Sequence, residues 1–265
     1  MTIEQLKSHA LSARRDIVSM IYESGIGHPG GALSIIDILT WIYDEEVDFS
    51  VSPRARVVMS KGHAVAAQYA MLYQKGIINR SEFSSFRQIN SRLQGHPSIK
   101  SIPEVDATTG LLGQGLSIAF GMAAAKKQHG ENQRVFAIIG DGEMHEGQIW
   151  ETLQQAGHMK MDNLVAIIDY NGFSSHDPVN EMINLEPLAD KIRHFGWHVL
   201  ELQNGNDMHQ VADTLLLSRH LKGKPVAIIA HTTKGCGVSY MENNGDWHSK
   251  TPTTEQYQQA MEELQ

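Results

Sequence analysis

The chain has 265 residues, 41% hydrophobic and 20% charged, with a formal charge of −8, a composition ordinary for a soluble protein able to bury a core. It excludes a nucleic-acid binder, whose phosphate contacts need clustered Lys and Arg, and a membrane span, because no window approaches the roughly 18 apolar residues required. The single cysteine, Cys236, excludes an internal disulfide framework and, with an N-terminus unlike a secretory signal, points to a reducing cytoplasm.

In chain order, Ile3, Leu6, Ala10, Ala13, Ile17 and Ile21 recur at spacings of three and four, which predicts an amphipathic helix. It stops at the Gly/Pro cluster SGIGHPGG, residues 24–31, through which no helix continues. A buried strand is expected at 56–60, a helix at 64–76, an irregular stretch near 84–112 and a small-residue helix at 115–130. Strands then alternate with helices: strands at 134–139, 163–170, 197–202 and 225–233, helices at 146–160, 185–196 and 207–222. Continuous Val/Ile/Ala strands separated by helices mark a doubly wound, mostly parallel α/β sheet with helices on both faces. No repeat or linker interrupts it, so one domain over 1–265 is expected, with a polar tail from about 240.

Ligands of such sheets bind outside the carboxyl ends of the strands. One end carries Gly140-Asp141-Gly142 and the next Asp169-Tyr170-Asn171-Gly172. The glycines let the backbone turn sharply near a ligand, and a helix start behind them would favour an anion. A carboxylate there repels an anion unless a divalent cation lies between them. Asp141 and the amide oxygen of Asn171 suit Mg²⁺ or Ca²⁺. Between 134 and 175 only Arg134 and Lys160 are basic, so the metal must do the bridging. A lone G-D-G is most often only a turn; the pairing with Asn171 is the specific signal.

Among fourteen histidines, His28, His63 and His96 each follow a glycine in a turn. They read either as a shared polar pocket or as plain loop caps. No compact Cys/His cluster suggests zinc.

Gly140-Asp141-Gly142 followed by Asn171 matches the thiamine-diphosphate motif. Together with SGIGHPGG, MSKGHA, QGHPS, TTGLLGQGLSIAFGMA and GVSYMENNGDWHSKTP, it makes nearly the whole chain resemble the N-terminal half of transketolases. The resemblance implies the thiamine diphosphate-binding fold. It implies Mg²⁺, with Ca²⁺ or Mn²⁺ as substitutes, held by Asp141, Asn171 and the carbonyl of Phe173. It assigns Gly140, Gly142, Glu143, Gly110, Leu112, His63 and His248 to the cofactor. His28, His63, His96 and His248 take catalytic roles in the substrate channel, where imidazoles donate, accept and move protons. Leu111 stands where the best-known transketolases have proline. Glu146 matches an interfacial glutamate, or is a first-turn acid favoured by the helix dipole.

The implied reaction passes a two-carbon ketol unit from a ketose, free or phosphorylated, to an aldose. In the family a glutamate from a second, pyrimidine-binding domain activates the cofactor, and arginines there grip sugar phosphates. After HSKTP only TTEQYQQAMEELQ follows. The expectation is therefore the diphosphate-binding subunit of a split transketolase, working with a separate pyrimidine-binding subunit in a heterotetramer of two plus two. Two rivals stand beside it: a component of a 2-oxo acid dehydrogenase or deoxyxylulose phosphate synthase type of enzyme, and a non-catalytic Mg²⁺-diphosphate-binding regulatory protein.

Overall fold

The computed structural model describes all residues, Met1–Gln265. Helix α1 (Ile3–Ser24) opens on a capping box between Thr2 and Gln5 and closes at Gly25, whose φ of 74° supplies the left-handed turn. The Gly/Pro cluster does end it, but a second helix, which the sequence pattern does not predict, starts within that cluster. This is α2 (Pro29–Glu45), with Pro29-Gly30-Gly31 as its first turn. Proline is compatible there because the first helical N–H has no partner in any case. Nearly every residue of α2 is buried, so no polar face gave it a period.

The following elements run β1 (Arg56–Met59), α3 (Val65–Gln74), α4 (Gly115–Gln128), β2 (Val135–Gly140), α5 (Gly147–His158) and β3 (Leu164–Tyr170). A short hairpin, β4 (Phe173–Ser174) and β5 (Asp177–Pro178), leads into α6 (Val179–Met182). The chain continues through α7 (Leu188–His194), β6 (His198–Leu202), α8 (Met208–His220), β7 (Val226–His231) and α9 (Thr254–Glu263). The five long strands form one sheet in the order β1-β2-β3-β7-β6, every neighbouring pair parallel. The expected α/β architecture is what the chain adopts.

Alternate residues of the central strands serve different cores, as a period of two requires. Phe136, Ile138, Val165 and Ile167 join a cluster with α1, α2 and α3. Val135, Ala137, Ile139, Ala166 and Ile168 join another with α4 and α5. The polar segment after 240 also contributes, burying Met241, Trp247, Ala260 and Leu264. Strand register then sets the site. Gly140 of β2 lies opposite Asp169 of β3, and the Asp141 N–H donates to the Asp169 carbonyl at 3.3 Å.

Candidate active site

Beyond the carboxyl ends of β1, β2, β3 and β7 lies a polar cavity. Its walls include Asp141, Gly142, Glu143, Asn171, Phe173 and His248. Asp141, 1% exposed, has no cationic partner in contact. Its Oδ1 accepts from the Gly142 N–H at 2.8 Å and its Oδ2 from the Gly172 N–H at 2.6 Å. Burial, with Asp169 nearby, pushes this carboxyl up to about 7. Asn171 is oriented from behind. Its Nδ2 donates to Asp169 at 3.1 Å, while its Oδ1 accepts from the Phe173 N–H at 3.2 Å. A carboxylate only accepts, so the amide oxygen must turn away from Asp169.

A buried carboxylate, an oriented amide oxygen and the nearby Phe173 backbone fit a hard divalent cation. No three His, Cys, Asp or Glu side chains gather closely enough to hold a metal, so a zinc-type centre has no donor set here.

The helix expected over 146–160 is α5, and its start does not stand directly behind Gly142. A 3₁₀ turn, Gly142–His145, intervenes, and α5 begins only at Gly147. Glu146 is the N-cap residue of α5, exposed and making no side-chain capping bond, which corrects the first-turn reading. Glu143 is a clamp inside the wall. Its carboxylate accepts from Ser60 Oγ, from the Gly113 N–H at 2.9 Å and from the Gly140 N–H at 3.1 Å. It ties the loops after β1, before α4 and after β2 together.

The expectation that a metal alone offsets anionic charge needs correction. Lys61 and Lys234 both line the cavity, brought by the ends of β1 and β7. Lys61 is buried and pairs with Asp169, and it donates to the Gly31 carbonyl at 2.8 Å. Asp169 also accepts from Ser34 at 2.6 Å and from Thr232. Lys234 donates to the Ser175 carbonyl at 2.6 Å and lies 5.1 Å from the Phe173 ring centre. Burial lowers its ammonium to about 8. The signal for both lysines was position: each stands two or three residues past a strand's carboxyl end.

The imidazoles do gather. His28 and His63 ring centres lie 5.4 Å apart, His28 and His248 5.3 Å, and His63 and His248 5.1 Å. His176, not singled out from sequence, joins at 5.6 Å from His248. Its hairpin was invisible as a motif. Burial is the chief cause that lowers His28 to about 4 and His248 to about 3, with Arg87 and Lys234 respectively adding to it. His63 lies well below its ordinary range for the same reason, Lys61 adding to burial. His96 packs on Gly110, where an added Cβ would come within 3.1 Å of its ring, and φ is 145°. His28, His96 and Gly110 lie outside the cavity wall proper, whereas His63, His248 and Leu112 belong to it. Leu111, in the family's proline position, is exposed.

Comparison with known proteins places this arrangement. A family model described as "Transketolase, thiamine diphosphate binding domain" matches residues 7–264. An apulose-4-phosphate transketolase subunit of Phocaeicola vulgatus is 39% identical, covering 100% of this chain and 95% of that protein. A 6-deoxy-6-sulfo-D-fructose transketolase subunit of a Clostridium species is 35% identical, covering 98% and 96%. Transketolase of Campylobacter jejuni superposes with a TM-score of 0.93 at 31% identity, over 100% of this chain but 43% of its own. The chain thus spans about two-fifths of such full-length enzymes and nearly all of the two relatives that are named as subunits. It belongs to the transketolase family and carries that family's thiamine diphosphate-binding domain.

Proposed function

We propose that this chain is the diphosphate-binding subunit of a two-subunit transketolase, moving a two-carbon ketol unit from a ketose to an aldose. Relatives that match it end to end are themselves named as transketolase subunits, which supports a separate partner. That partner would bring the pyrimidine-binding half, in a two-plus-two assembly. The observation that carries the reading is the convergence of Asp141 and Asn171 on one cavity whose other end is walled by imidazoles.

Asp141, Asn171 and the Phe173 carbonyl would hold Mg²⁺ against the diphosphate, with Ca²⁺ or Mn²⁺ able to replace it. Lys234, whose ammonium makes one hydrogen bond, would donate to the remaining phosphate oxygens. Gly110 and Leu112 would flank the aminopyrimidine. Once bound, thiamine diphosphate supplies the electron sink for C–C cleavage and formation. The histidines His28, His63, His96 and His248 would bind the sugar hydroxyls. Neutral imidazoles suit this task because each ring offers one donor and one acceptor. A lone cysteine supports a reducing compartment.

The test is reconstitution. The chain mixed with its pyrimidine-binding partner, thiamine diphosphate and Mg²⁺ is expected to transfer ketol units from ketose donors and not to decarboxylate pyruvate. Turnover of pyruvate alone would favour the oxo-acid reading, and full ketol transfer by the chain without a partner would overturn the two-subunit proposal.

A further inference from the structure

We propose that Arg87 is a positioning residue for His28: its guanidinium donates to His28 Nδ1 and fixes the ring as the neutral tautomer protonated on Nε2. Arg87 Nη1 lies 3.3 Å from His28 Nδ1. A guanidinium donates and never accepts, and it keeps its charge at every ordinary pH. The nitrogen it addresses must therefore be the unprotonated one, and the ring's proton sits on the other.

The loop is built to deliver that contact. Arg87 has a φ of 61°, a left-handed conformation uncommon for a side chain of this size. Its own N–H donates to the Leu93 carbonyl at 2.8 Å, closing the turn. The guanidinium rests against Gly95, donating to its carbonyl at 3.5 Å. A Cβ at Gly95 would lie 2.9 Å from the guanidinium carbon, so any larger residue there would push the guanidinium from this position. No charged partner affects Arg87, whose surroundings only desolvate it. Its charge is thus not spent on a carboxylate and is directed at the imidazole.

The groups around His28 reinforce the assignment. His63 and His248 face it at 5.4 and 5.3 Å between ring centres, and Arg87, His96 and Lys234 are the charges acting on it. None is an acid, so a second proton on the ring would meet like charge and no counter-ion. Resting on the proposed sugar-transfer reading, the consequence is a division of labour. His28 presents an N–H to a substrate oxygen and acts as a donor, not as the base that removes a proton.

The test needs neither cofactor, substrate nor partner, so its failure is distinguishable from failure of the transketolase reading. The full chain, ¹⁵N-labelled at histidine, is measured by long-range ¹H–¹⁵N correlation near neutral pH. The His28 resonances are assigned by their absence from the His28→Gln spectrum. We expect an unprotonated Nδ1 and a protonated Nε2. Arg87→Met, which removes charge and donors while keeping bulk, is expected to release the ring into a tautomer mixture, with the two nitrogen shifts converging. Gly95→Ala, which pushes the guanidinium aside without touching either residue, is expected to do the same. A wild-type His28 protonated on Nδ1, or doubly protonated, overturns the proposal. So does a His28 signature unchanged in whichever of the two variants retains the wild-type circular dichroism.

Discussion

The two ends of the site carry opposite chemistries produced by one physical cause. At the strand tips, Asp141, Glu143 and Asp169 are almost wholly buried and held by backbone N–H groups, hydroxyls and Lys61. On the loops, His28, His63 and His248 are gathered with Arg87 and Lys234 but no acid. Burial disfavours charge at both ends, raising the Asp141 and Glu143 carboxyls and lowering the imidazoles. The acidic end is left wanting a cation. The imidazole end is content as neutral donors and acceptors. A doubly anionic cofactor bridged by a metal matches the first, and an uncharged polyol segment matches the second.

The largest test of this contrast is Asp169→Ala. It strands the buried Lys61 ammonium, and loss of one partner of such a pair costs about 3–5 kcal/mol, readable by urea unfolding. A loss under about 1 kcal/mol would mean that this carboxylate is not the anchor of the acidic end. Next comes Asp141→Ala, expected to lower Mg²⁺-dependent affinity for thiamine diphosphate more than about 100-fold, the upper range for an outer-sphere partner. Calorimetry on the assembled complex reads it, and circular dichroism should be unchanged. Glu143→Gln is expected to cost about 2 kcal/mol. An amide NH₂ cannot accept, so one of Ser60, Gly113 or Gly140 loses its partner.

The smallest effect concerns the imidazole end. His28, near 4 when folded and 6.5 ordinarily, contributes stability that is complete above pH 6.5 and lost as pH falls toward 4. Thermal midpoints should therefore decline across that window, and His28→Gln should flatten part of the decline. An unchanged slope would show that this ring is not held neutral by its surroundings.

Much of this was legible in the sequence because strands buried on both faces have unmistakable composition, and β2, β3 and β7 each appear as unbroken Val/Ile/Ala runs. Asp141 and Asn171 were legible as candidates because each stands one residue past the end of a strand, and the two strands, β2 and β3, are consecutive runs that pair as parallel neighbours. Helix α2 was hidden by its near-complete burial, which erases amphipathic period. Lys61 and Lys234 were hidden for another reason. Their charge reaches the site through parallel strand pairing across more than 70 residues of chain, and no window around Gly140 contains either one. Arg87 required the fold outright, since only the loop's left-handed turn brings it to His28.

The most direct measurement is a crystal of the assembled enzyme grown with Mn²⁺ and thiamine diphosphate, with anomalous differences collected for the metal. The account predicts one peak bounded by an Asp141 carboxylate oxygen, Asn171 Oδ1 and the Phe173 carbonyl oxygen, each at about 2.0–2.3 Å. A diphosphate seated with no metal at those three atoms, or a metal bound to the histidines instead, would contradict it.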